Sequence, residues 1–258
     1  MCYGRTKEIQ KEKSGHVLAG RPEDFFFCVS LVYMAVLGKK EIEKAIHDGV
    51  IEFSPSLDGF QLQPNAVDLR LGWGFYIPKN WSLVPEGRVA VRPDHLQTGF
   101  HKENFTFMEL SPGQYFEILP SEHVLVSTLE KITLNAGDII AMLHPRSSMI
   151  RRGLVIESGV VDVFYAGTMI IPIFNGTNHV IRLYPGERCY QLVFERLESA
   201  VDREEAGKHG IAFAKYAGVA AHNSDARKDS DEEIVFLKSG DIDGLKKRFL
   251  IKSSTVHE

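Results

Sequence analysis

Cysteine is scarce in this chain: Cys2, Cys28 and Cys189 are the three in 258 residues, and no two of them form a C-x-x-C pair. A disulfide framework and a zinc ribbon both need clustered thiols, so neither is supported, and a reducing, cytoplasmic setting is expected. Charge of one sign is lacking as well. Thirty Lys and Arg stand against 34 Asp and Glu, a net charge of -4. No global field draws such a chain to nucleic acid or to an anionic membrane, so neither is an expected partner. An anionic ligand must be held by local donors. The longest apolar run, Phe25 to Leu37, is too short to span a bilayer, and Glu23 and Asp24 flank it where a leader carries basic residues. It is expected to be buried in protein, and the sequons at Asn80, Asn104 and Asn175 are expected to be unmodified.

Several chemical signatures are missing too. The Gly-Lys pairs, Gly38-Lys39 and Gly207-Lys208, are not followed by Ser or Thr, so there is no P-loop, and no glycine-rich dinucleotide fingerprint occurs. Zinc-dependent base deaminases need H-x-E with P-C-x-x-C, which three scattered cysteines cannot supply. The ten histidines include no H-x-H or H-E-x-x-H pair. Chemistry on a phosphate or a base must then rest on carboxylates, backbone donors and a diffusible metal.

What is present is an ordinary globular composition, 44% hydrophobic and 25% charged, which excludes a disordered or collagenous chain. Residues 1–33 are read as an N-terminal extension, with Met34 a candidate start of the folded body. GKKEIEKAIHDG (38–49) predicts a short amphipathic helix, with Ile42, Ala45 and Ile46 on one face and Gly49 as its C-cap, followed by a strand. From Phe53 to Leu197 short runs rich in Val, Ile, Phe and Thr alternate with Pro, Gly, Asn and Asp, the pattern of a sandwich or barrel. The segment 221–233 is charged and reads as a solvated linker, and 234–253 as an accessory helix or strand pair.

Four segments place polar residues inside apolar strands. QLQPNAVDLRLG (61–72) alternates Asp68 and Arg70 with Val67, Leu69 and Leu71, and alone reads as the solvent side of a strand. HPRSSMIRRG (144–153) gathers two hydroxyls and three guanidinium groups in a turn-like stretch, suited to a polyphosphate or to a salt-bridge patch between subunits. GVVDVFYAG (159–167) sets Asp162 in an apolar strand before an aromatic and a glycine, and PGERCYQLVF (185–194) places Gln191 in a strand. Each alone has a structural explanation.

In this order and spacing the four segments resemble the dUTPase and dCTP deaminase superfamily, from about Met34 to Tyr216. The helix, LQPNAVDLRLG and RSSMIRRG are similar to the dCTP-deaminase-type branch; GVVDVFYAG, IFN and PGERCYQLVFERLE are most similar to the archaeal-type dUTPases within it. The resemblance implies a mainly β, distorted jelly-roll-like barrel with a short N-terminal helix, a homotrimer, and a pyrimidine deoxynucleoside triphosphate as substrate. The body is then 34–216, with a charged C-terminal arm and extension at 217–258.

The resemblance also implies roles. Asp162 matches the water-activating aspartate. Arg146, Ser147, Ser148, Arg151, Tyr165 and Gln191 match substrate-binding positions, as do Lys215 and Tyr216 in a closing arm, while Asp68 and Arg70 mark the first, structural motif. Magnesium is expected through the substrate phosphates, with no direct protein ligand. The related deaminases carry a proton-shuttling glutamate ten residues after the aspartate; here that position is Pro172, although a bulge could bring Glu157 nearby. Proline has no titratable group, so hydrolysis of dUTP to dUMP and pyrophosphate is the expected reaction. Deamination of dCTP, stopping at dUTP or going on to dUMP, and a catalytically weak nucleotide-binding scaffold are the alternatives.

Overall fold

The computed structural model describes residues 35–91, 104–208 and 230–250. Met34, most of the apolar run before it, Lys215, Tyr216 and most of the expected linker lie outside the described residues. Along the chain, α1 (Lys39–His47) leads into β1 (Ile51–Ser54), β2 (Val67–Pro78), β3 (Trp81–Val84) and β4 (Gly87–Ala90). Then come β5 (Phe105–Glu109), β6 (Phe116–Ile118), β7 (His123–Leu134), β8 (Ile139–Pro145) and a single-turn α2 (Ser147–Arg151). The body closes with β9 (Leu154–Ile156), β10 (Gly159–Val161), β11 (Ala166–Asn175), β12 (Ile181–Leu183), β13 (Arg188–Arg196) and α3 (Arg203–Lys208). The expected class holds: the body is mainly β, built as a curled antiparallel sheet that forms a half-barrel.

The predicted N-terminal helix forms. Its buried side carries Ile42 and Ala45, and Gly49 just beyond it takes φ 71, a conformation that costs a glycine nothing. The tail of the chain, left open between helix and strand, is a pair of helices, α4 (Asp231–Ser239) and α5 (Ile242–Arg248). Ser230 and Asp241 cap their N-termini by accepting from the N–H groups of Glu233 and Gly244. Among the described residues no helix is long and apolar enough to cross a membrane.

The main sheet runs β10-β8-β13-β2-β7-β11-β9, with β1 added to β7 and β5 added to β2. β2 joins its two halves. Its first residues pair with β13 (Leu69 opposite Tyr190, Asp68 opposite Gln191), and its later ones pair with β7 on one edge and β5 on the other. A strand in that position has both faces covered, so Val67, Asp68 and Leu69 are all buried in succession. That corrects the reading of Asp68 as facing solvent.

The β2–β7 register slips between Leu71 and Phe75, and Gly72 sits in the slip. A Cβ there would stand 2.6 Å from the Thr128 carbonyl oxygen and 2.9 Å from that of Ser127. The glycine is required by close backbone approach. Gly72→Ala is expected to destabilise the fold by about 1–3 kcal/mol in urea denaturation, because backbone on the partner strand must move.

Candidate active site

The site is organised around one buried carboxylate. Asp68 is fully buried, and its Oδ2 accepts from Arg146 Nε and from Arg188 Nη1, each at 3.0 Å. Its Oδ1 accepts from Gln191 Nε2 at 3.0 Å. Three strands supply these groups: β2 the acid, β13 Arg188 and Gln191, and the end of β8 Arg146. Arg146 is tied further, since its N–H donates to the Cys189 carbonyl and its Nη1 to the Arg188 carbonyl. Two guanidinium groups on one carboxylate leave a surplus positive charge beside the turn that opens α2. That surplus suits a polyphosphate. Arg188 was not singled out from sequence; its signal was its place three residues before Gln191 on the same strand, diagonal to Asp68.

The turn holds the remaining phosphate candidates. Ser147 and Arg151 are exposed, while the Ser148 hydroxyl is buried and has no hydrogen-bond partner among the described residues. A buried hydroxyl left over in this way is a donor and acceptor available to a ligand. The third guanidinium of the segment is engaged elsewhere: Arg152 pairs with Glu187 and donates to the Arg182 carbonyl. Gly153, with φ 86, turns the chain back into β9.

Arg70 belongs to a separate bracket. Its guanidinium donates to Asp58 Oδ2 at 2.7 and 3.0 Å and to the Gly186 carbonyl, and its backbone N–H donates to Glu130 Oε2 at 3.0 Å. Glu130 is buried on β7 and also accepts from Gln61 Nε2 at 2.7 Å; burial holds its pKa above the usual glutamate value despite these donors. Gln61 in turn donates to the Asp68 carbonyl at 2.9 Å. The first segment therefore braces the strands around Asp68.

A second feature lies beside this cluster. A mainly apolar cavity of about 170 Å³ is lined by Leu143 of β8, Glu157, Val161, Tyr165 and Ile171, among others. A cavity of roughly 150 Å³ takes one six-membered ring, so this one fits a pyrimidine better than a purine. Leu143 stands three residues before Arg146, roughly 10 Å of extended chain.

Asp162 is not inside a strand. It is exposed at the first position of a tight turn between β10 and β11, in which the Tyr165 N–H donates to the Asp162 carbonyl at 3.3 Å. Phe164 in that turn has φ 59, a conformation unusual for a bulky side chain. Its ring lies under the Arg203 guanidinium, 4.6 Å from ring centre, which anchors the turn to α3. Tyr165 is thereby placed on the cavity wall next to Asp162. The structure thus groups Arg146 and Gln191 on Asp68, with Ser147, Ser148 and Arg151 on the adjoining turn and Tyr165 on the cavity.

Pro172 lies in β11, and its carbonyl accepts from the Glu157 N–H at 3.3 Å. Glu157 therefore neighbours the position where the related deaminases carry glutamate. It gets there by plain strand adjacency beyond the β9–β11 pair Ile156 and Ile173; the irregularity in β11 lies farther back, between Thr168 and Ile170.

The clamp should be costly to break. Asp68→Asn is expected to lose about 3–5 kcal/mol of stability, because two guanidinium groups lose their buried counter-charge. Asp58→Asn, which breaks a pair whose carboxylate is half-exposed, is expected to lose about 1 kcal/mol or less. Chemical denaturation of both variants measures the contrast.

The model of dCTP deaminase-like domains matches residues 36–197. Among the chain's relatives is a "dCTP deaminase, dUMP-forming" of Sulfurihydrogenibium sp., 35% identical over 176 residues, 67% of this chain and 91% of that protein. One from Methanosphaera stadtmanae with the same name is 32% identical over 187 residues, 72% of this chain and 90% of the relative. A solved dCTP deaminase of Agrobacterium tumefaciens is 20% identical, with a TM-score of 0.49, over 70% of this chain and 54% of that one. By the extent of the match and the level of identity, the chain belongs to the dCTP deaminase-like family.

Proposed function

We propose that this chain converts a pyrimidine deoxynucleoside triphosphate to dUMP with release of pyrophosphate, and that dCTP is its starting nucleotide. The observation that carries the reading is a mainly apolar cavity that includes Leu143 of β8, with the surplus positive charge of Arg146 and Arg188 on Asp68 beside the turn that follows that strand. The names of the relatives support the choice of dCTP.

For the phosphate step, Asp162 takes a proton from a water as its oxygen bonds to the α-phosphorus and the bond to pyrophosphate breaks. Its exposure in the turn gives water access, and Tyr165, three residues on and lining the cavity, offers a flat face for the sugar or base. Arg146, Ser147, Ser148 and Arg151 hold the phosphates, and Gln191 keeps Asp68 aligned beneath Arg146. Magnesium carried on the substrate phosphates would neutralise charge on the leaving pyrophosphate. Lys215 and Tyr216 remain proposed as contacts from a closing arm.

For the deamination step a proton carrier must reach the ring, and Pro172 has none to offer. Glu157 is the one carboxylate on the cavity wall and takes that part. The second reading, dUTP hydrolysis alone, is favoured by Pro172 itself. A homotrimer, expected from the resemblance, is part of the proposal; light scattering is expected to give three times the chain mass, and a monomer mass would contradict it.

Purified protein given dCTP and dUTP separately, with ammonia and pyrophosphate both measured, decides between the readings. Ammonia and pyrophosphate from dCTP in equal amounts are the expected result. Pyrophosphate from dUTP with no ammonia from dCTP would favour the hydrolase, and neither product would leave a scaffold. Asp162→Asn is expected to lower pyrophosphate release about 10²- to 10⁴-fold with nucleotide affinity retained.

A further inference from the structure

The cavity walls are mainly apolar, and a ring seated there meets few groups that can tell one pyrimidine from another. The polar side chains on the lining are those of Glu157, Ser158 and Tyr165, and among the described residues Glu157 is the one carboxylate there, placed by backbone pairing just beyond β9, its N–H bonded to the Pro172 carbonyl at 3.3 Å. Cytosine and uracil differ at ring position 4: one presents an amino group, a donor, and the other a carbonyl, an acceptor. An ionised carboxylate accepts and cannot donate. It therefore gains a hydrogen bond from the amino group and sets two acceptors against each other with the carbonyl.

We propose that Glu157 reads the base, accepting a hydrogen bond from the exocyclic amino group and so selecting cytosine over uracil. The inference rests on the reading of this cavity as the pyrimidine site. It deepens that reading by making one side chain responsible for substrate choice.

Glu157 is exposed, so its replacement leaves the core untouched. The test is calorimetric titration of α,β-imido analogues of dCTP and dUTP into wild type, Glu157→Gln and Glu157→Ala, with thermal melting of all three as a check of folding. Wild type is expected to favour the cytosine analogue. Glu157→Gln, whose amide can donate to the carbonyl, is expected to shift the preference toward the uracil analogue by roughly 10- to 100-fold, and Glu157→Ala to weaken the cytosine analogue alone. An unchanged preference in both variants would overturn the inference even if dCTP is turned over. Conversely, a shifted preference without ammonia production would uphold it while removing deamination from the proposed function.

Discussion

Everything in the site is arranged around the buried carboxylate of Asp68. A charge removed from water is tolerable only where partners surround it, and here two guanidinium groups and an amide do so. The same demand holds β2, β8 and β13 in register at their shared end. The local constraint is also the functional one: Arg146 and Arg188 are aligned before any ligand arrives, and one positive charge is left over. This explains how a chain of net charge -4 presents a site for an anion. The field is made by a few fixed groups and needs no basic surface.

Around that clamp the sheet divides the work. β8 carries Leu143 to the cavity and ends at the phosphate turn; β10 and β11, joined by the tight turn at Asp162, bring Tyr165 to the cavity wall. The turn is held in an uncommon conformation at Phe164 and stacked on Arg203, so Asp162 is exposed to water while the backbone that carries it is fixed. Exposure of the acid and rigidity of its mount are what the proposed role of Asp162 in activating water requires.

Much of the fold was legible because its signals are local. The i, i+3, i+4 face and the terminal glycine identify α1, and alternating runs between turn residues identify the strands. The burial of Asp68 was not legible, because alternation implies a wet face only when one side of the sheet is open, and β2 is covered on both sides. The tail is ambiguous in sequence for a related reason: its apolar residues suit either period, and Ser230, Asp241 and Gly240 settle it as helices by capping. In the site, Arg146 and Gln191 were found as members of motifs, but their meeting on Asp68, and Arg188 with them, is long-range information that only strand register supplies. Pro172 offers no titratable group, and Glu157, the carboxylate expected to approach it through a bulge, reaches it instead by plain strand adjacency.

The central claim is that one nucleotide spans the two features, its triphosphate on the turn after β8 and its ring in the cavity between Glu157 and Tyr165. A crystal structure of the protein with α,β-imido dCTP tests this most directly. The account predicts phosphate oxygens within hydrogen-bond distance of Arg146, Ser147 and Ser148, and the cytosine ring inside the cavity. A triphosphate bound away from this turn, or a ring left outside the cavity, would contradict it.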